Sequence, residues 1–303
     1  MGKLDIMYIQ RSSLNLTDMK NLILLFSAVF LSFTVNAQLS GDSWKETKSK
    51  GSGEVTITYN YSGKFIYKNG DELDGLCINI WDKFVEYVES THNVNLQVNV
   101  HQPNNAVNFS EFYSSVQNAK GGVFGLADVT ITQARKSEVQ FSPSFFSNVS
   151  ILLTNKSVPD LQNFDNISSE FKGMTMIVQR GTTHEKRAKE LKDSSFPVLT
   201  IESVNSFQEC YEKVNQSDNY FTYLDFSSYL SAIEDAKDIK RHPAGDKTGE
   251  EFGFIMPKNS DWAPIINEFF NKNGGFTNST EYKKIVANSL GNYVVSMLDA
   301  INE

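Results

Sequence analysis

The chain has 303 residues, 40% hydrophobic and 21% charged, a globular composition that excludes a disordered, collagen-like or disulfide-scaffold protein. Residues 1–37 read as a targeting leader; without its Lys3, Arg11, Lys20, Asp5 and Asp18, the remaining 266 residues hold 25 basic and 34 acidic side chains, net −9. Such a surface repels nucleic acid and anionic lipid.

The leader has Lys20 as its positive flank and Leu22 to Val35 as an apolar run, short for a bilayer span and the right length for a signal-peptide core. Val35-Asn36-Ala37 supplies the small residues a signal peptidase needs, so cleavage is expected after Ala37 and a mature start at Gln38. An uncleaved anchor is the alternative. Met19 opens a complete signal peptide by itself, which makes it a second candidate start. No cysteine sits at the cleavage point to carry a lipid. Cys77 and Cys210 are the only cysteines, both in apolar segments, and buried free thiols are expected rather than a disulfide.

Residues 38–53 are polar and rich in Ser, Lys and Gly, as in a flexible lead-in. Val55 to Tyr59 then reads as a strand, Trp81, Phe84, Val85 and Val88 as a helical stripe, and Val94, Leu96, Val98 and Val100 as a half-buried strand. Phe109, Phe112, Tyr113 and Val116 make the next helix, followed by an apolar segment from Val123 to Ile131. Strands follow at Met174 to Val178, Val198 to Ile201, Tyr220 to Leu224 and Phe252 to Met256. Between them, Thr182 with Glu185 and Ser206 with Glu209 mark helix starts, and Phe226, Tyr229, Leu230 and Ile233 share a helical face. Two closing helices carry Trp262, Ile265, Ile266, Phe269 and Tyr282, Ile285, Val286, Leu290. Strands alternating with helices imply α/β architecture with mostly parallel sheets.

His92, His101, His184 and His242 are scattered without a zinc motif, and there is no GxSxG elbow. Gly245-Asp246-Lys247-Thr248 is similar to a phosphate loop but has Asp246 where glycine is needed, so it reads as a solvated turn. Glu250 and Glu251 read as surface charge. Nothing indicates a cofactor.

One segment stands apart, Ala127-Asp128-Val129-Thr130-Ile131-Thr132-Gln133-Ala134-Arg135 running on to Val139-Gln140-Phe141-Ser142. It resembles the family 3 extracellular solute-binding proteins, the periplasmic amino-acid receptors of ABC importers, whose first lobe carries T-I-T-x-x-R leading to V-x-F-S. Phe65-Ile66-Tyr67 with Asp74-Gly75-Leu76, Gln179-Arg180-Gly181-Thr182-Thr183, Leu224-Asp225 and Gly253 to Met256 are similar to further motifs of that family, in the same order. The resemblance implies a two-lobed, type II (Venus-flytrap) α/β fold with a double-crossover hinge: lobe 1 from residues 54–148 and 252–303, lobe 2 from 149–251.

It also implies a ligand site. Arg135 would grip a carboxylate with its planar fork, helped by the Thr130 hydroxyl. Thr182 and Thr183, at a helix N-terminus, would favour an anion there, although a helix cap would look the same. Asp225 would hold the α-ammonium or, alternatively, cap the following helix. Asp128 departs from the usual Gly or Ser; it would accept from the ammonium or pair with Arg135 in an empty cleft. Phe109, Tyr61 and Phe65 align with the family's aromatic walls, core packing being the other reading of Phe65. The expected protein is a periplasmic monomer that captures an amino acid or similar small polar solute and presents it to an ABC transporter permease, without cofactor or metal. Its rivals are a cyclohexadienyl-type dehydratase on the same fold, which needs a general acid that no histidine identifiably supplies, and a sensory module, which needs a transmembrane and output segment.

Overall fold

The computed structural model describes residues 38–236 and 238–295. The expected signal peptide, both candidate starts and residues 296–303 lie outside them.

The expected flexible lead-in is ordered, which corrects the composition-based reading. Ser43 and Glu46 form a reciprocal capping box that starts α1 (Trp44–Lys50). Trp44 packs edge-on to Trp262 and His92, and Asp261 accepts from the backbone N–H groups of Trp44 and Lys45 at 2.8 and 3.1 Å. These contacts fasten the helix to the body.

From there the chain runs through β1 (Ser52–Tyr59), the hairpin β2 (Tyr67–Asn69) and β3 (Glu72–Asp74), α2 (Leu76–His92) and β4 (Asn95–His101). Next come α3 (Phe109–Gln117), β5 (Val123–Thr130), α4 (Gln133–Glu138), β6 (Val139–Phe141) and the long β7 (Phe146–Asn155). The second half holds α5 (Ile167–Glu170), β8 (Thr175–Gln179), α6 (Thr183–Ser194), β9 (Thr200–Val204), α7 (Phe207–Gln216), β10 (Tyr220–Leu224), α8 (Phe226–Asp235) and β11 (Ile239–Arg241). The return strand β12 (Lys247–Pro257) leads to α9 (Ala263–Asn271) and α10 (Thr280–Leu290).

Among the described residues the main sheet follows the order β4-β1-β5-β12-β7-β10-β8-β9. The outer neighbours β4, β1 and β5 are parallel, as are β10, β8 and β9, which is what α-helical crossovers require. The two groups meet at β7 and β12, antiparallel to each other from Phe146 to Ser150 against Phe252 to Lys247. β7 continues into the second group beside β10, and β12 into the first beside β5 and β6. These two strands are therefore shared by both halves.

β5, with β1 parallel on one side and β12 antiparallel on the other, is buried at all eight positions, as expected of a central strand covered on both faces. Around it Trp81, Phe84, Phe124, Trp262 and Phe269 form an aromatic core, and across the sheet Phe171, Met176, Leu191, Phe196 and Phe221 form a second. Cys77 and Cys210 are free and buried.

Two local expectations shift. The strand expected at Val198 begins at Thr200, because Phe196 and Leu199 anchor a turn in the core and leave Val198 75% exposed. In α8 the buried face is Phe226, Ser227, Ser228 and Ala232, with Ile233 49% exposed. The start of this helix abuts Gly63, where a Cβ would come within 2.5 Å of the Ser227 carbonyl. Gly63 also has φ +45°, a conformation glycine adopts at little cost.

Candidate functional site

Arg135 owes its position to a cap. The Thr132 hydroxyl accepts from the Arg135 N–H at 3.2 Å and sets the first turn of α4. The guanidinium then turns back over β5, donating to the Thr130 carbonyl at 3.1 Å and, across to the other half, to the Gly181 carbonyl at 3.3 Å. Its centre lies 4.9 Å from the Phe109 ring and 5.6 Å from Tyr113, a cation–π arrangement. Burial lowers the pKa of Arg135 from its ordinary value, with Tyr113 and Asp225 opposing that change.

Asp225 stands at the N-cap position of α8 but does not cap it. Asn148, on β7, caps the helix instead, its Oδ1 accepting from the Phe226 N–H at 3.1 Å. The same amide donates from Nδ2 to Asp225 Oδ1 at 2.6 Å, and His184 Nε2 reaches that oxygen at 3.1 Å. His184 Nδ1 faces the Arg187 guanidinium at 3.0 Å, and arginine can only donate, so the geometry assigns the ring proton to Nε2, toward Asp225. Arg187 also pairs with Glu250 at 2.8 Å, and Glu250 accepts from Asn148 and Ser150 at 3.1 and 2.6 Å.

Asp128, at the end of β5, is 8% exposed and accepts from the Ser62 hydroxyl. Burial, and then the neighbouring Asp225 carboxylate, pushes its pKa up to about 7. No Asp128–Arg135 ion pair occurs among the described residues, so the expected empty-cleft pairing is replaced by the bond from Ser62.

Arg135, Thr130, Asp128, Thr182, Thr183, Asp225 and Phe109 line one cavity, joined by Asn60, Gln179 and Phe207. The walls approach so closely that about 10 Å³ is left, room for one water at most. An amino acid enters only if they part. Thr182 caps α6 with its hydroxyl, which accepts from Glu185 N–H and donates to the Gln179 carbonyl, so its side chain is engaged within its own half. Gln179 crosses the seam, donating to the Val107 carbonyl at 3.1 Å.

Two expected aromatic walls lie elsewhere. Phe65 is fully buried among Phe145, Phe146 and Phe252, with centroids 5.0 to 6.1 Å away, and is core. Tyr61 packs beside Tyr59 on the rim of a separate open groove of about 830 Å³ between the β2–β3 hairpin, α2 and β4. Several residues that carry no site motif are recruited behind the cavity. His184, one of the four scattered histidines, is fully buried against Asp225. Glu250 and Glu251 are not the surface charge that their pairing suggests: they bind Arg187 and the hydroxyls of Ser144, Ser147 and Ser150. Asp246 is likewise no part of a solvated turn, since it anchors Leu152 N–H and Arg241.

No protein-family profile and no curated protein sequence matches the chain. Solved structures do. ArtJ, an arginine-, lysine-, histidine-binding protein from the thermophilic bacterium Geobacillus stearothermophilus, is 19% identical with a TM-score of 0.62, covering 78% of this chain and 95% of that one. The GluR0 ligand-binding core from Nostoc punctiforme, in complex with L-glutamate, is 16% identical with a TM-score of 0.60 over 78% and 99%. AncCDT-1, an ancestral amino acid-binding protein and a precursor of cyclohexadienyl dehydratase, is 18% identical with a TM-score of 0.60 over 80% and 97%. With the sheet order and the two shared strands, these likenesses establish that the chain has the two-lobed α/β fold of the type II periplasmic binding proteins.

Proposed function

We propose that the protein captures an amino acid or a similar small polar solute between its lobes and delivers it to an ABC transporter permease. In this reading lobe 1 comprises about residues 54–148 and 252–303 and lobe 2 residues 149–251, with β7 and β12 as the hinge; the leader is removed after Ala37, and the mature protein works as a periplasmic monomer. One observation carries it. Arg135 and Asp225, opposite charges from separate halves, line the same cavity, and the Asp225 carboxylate is held ready by Asn148 and His184 instead of capping its own helix.

A free amino acid presents a carboxylate and an ammonium on one carbon, and stripping water from both is costly unless each meets a charged partner. Arg135 can exchange its two carbonyl acceptors for the carboxylate, and Asp225 can take the ammonium. Only a conformation with both walls near the ligand satisfies both ends, so binding favours closure. A thermal-shift screen of the proteinogenic L-amino acids tests this, followed by small-angle scattering with the best ligand and mass analysis of the ligand recovered. Stabilisation, a smaller radius of gyration and an unchanged ligand are expected. No stabilisation by any amino acid would overturn the amino-acid reading.

Asp128 favours one second reading. A carboxyl titrating near 7 inside a cavity suits general acid chemistry, and a dehydratase acting on a cyclohexadienyl amino acid would use such a group. Loss of water or carbon dioxide from the recovered ligand would favour this reading.

A further inference from the structure

The cavity holds more acid than base. Asp128 and Asp225 line it from opposite halves against the single guanidinium of Arg135. Behind them Arg187 and Glu250 offset each other, and His184 faces Asp225 as a neutral donor. The Cys77 thiol beside Asp128 is held neutral by burial. With both carboxylates ionised, the site carries one uncompensated negative charge.

A ligand with one ammonium and one carboxylate leaves that surplus in place. A second feature points the same way. Asn60 is 3% exposed and lines the same cavity, and its Oδ1 has no hydrogen-bond partner, while its Nδ2 donates to the Tyr61 carbonyl. The nearby Ser62 hydroxyl proton is already committed to Asp128. This wall therefore offers acceptors, a carboxylate and an amide oxygen, to a site where an unmade hydrogen bond is costly.

We propose that the ligand carries a second cationic donor, an ammonium or guanidinium group on its side chain, and that Asp128 is the residue that selects for it. The inference rests on the amino-acid reading above and narrows it to cationic amino acids. A neutral analogue would have to leave Asp128 either protonated or ionised without a counter-charge, and discrimination against ligands that strand a buried charge is strong.

Calorimetric titration at about pH 8 with L-arginine against its neutral isostere L-citrulline, and L-lysine against L-norleucine, reads the selection directly. The parent should favour the charged member of each pair by at least about tenfold in Kd. Asp128→Asn, whose amide oxygen still accepts from Ser62, should bring both ratios within about threefold. Asp225→Asn should weaken both members of each pair and preserve the ratio. Circular dichroism verifies that both variants fold. Equal parent affinity within each pair, or an unchanged ratio in Asp128→Asn, would overturn the proposal. Binding of an amino acid with no cationic side chain but none of these four would overturn it and leave the proposed function standing; binding of no amino acid would remove both.

Discussion

Replacing Asp128 by Asn in the ligand-free protein should stabilise it, and by an amount that depends on pH. Moving a carboxyl pKa from 3.8 to about 7 corresponds to a penalty of about 4 kcal/mol on the ionised form, at 1.36 kcal/mol per pKa unit. The folded protein holds this proton more tightly than the unfolded chain does. The contribution of Asp128 to stability is therefore fully present below about pH 4 and is lost as pH rises to about 7. Asparagine does not titrate and keeps the acceptor for Ser62, so the variant should match the parent near pH 4 and gain on it up to neutrality. Part of the penalty is shared with Asp225, which reduces the expected gain at about pH 8 to roughly 2–4 kcal/mol, or about 5–15 °C in Tm for a chain of this size. Urea denaturation at about pH 4 and pH 8 measures both ends. A difference of the same size at both pH values, or a variant less stable at about pH 8, would refute the claim that Asp128 is a buried acid strained by its neighbour.

Arg135→Ala should abolish detectable binding in calorimetry, a loss of roughly 2–5 kcal/mol for a desolvated charged contact, while the fold persists; binding as tight as the parent's would place the carboxylate site elsewhere. Asp225→Asn should weaken an α-amino acid far more than its α-keto or α-hydroxy counterpart, because only the first brings an ammonium, and equal losses would argue against an ammonium contact. Phe65→Ala should cost roughly 3–5 kcal/mol of stability as a core truncation, whereas Tyr61→Ala should change ligand affinity by less than about twofold; a large affinity loss from Tyr61→Ala would return that ring to the binding wall.

Periodicity makes most elements legible. The stripe Trp81, Phe84, Val88 and the largely apolar β5 are consequences of burial on one face or on two, and burial is what hydrophobic pattern records. The same pattern cannot tell a ring in the core from a ring on a ligand, since both need apolar surroundings; it leaves Phe65 open to both readings, and it is the family resemblance, not the pattern, that puts Tyr61 on the ligand wall, whereas the ring lies on the separate groove. The ordered lead-in does have a signal, the Ser43-x-x-Glu46 capping box, outweighed in the composition by Lys, Ser and Gly. His184 has none. It gains its role from Asp225, 41 residues away, and Glu250 gains its own from Asn148, 102 residues away, so these pairings exist only once the strands have assembled.

Asn148 and Glu250 sit on β7 and β12, the two strands common to both halves, and Asn148 grips the acid proposed to receive the ammonium. On the proposed function, affinity and the balance between open and shut forms would therefore draw on the same side chains. If β7 and β12 are the hinge proposed above, a substitution at Asn148 or Ser150 would alter how tightly the ligand is held and how readily the lobes part in one step.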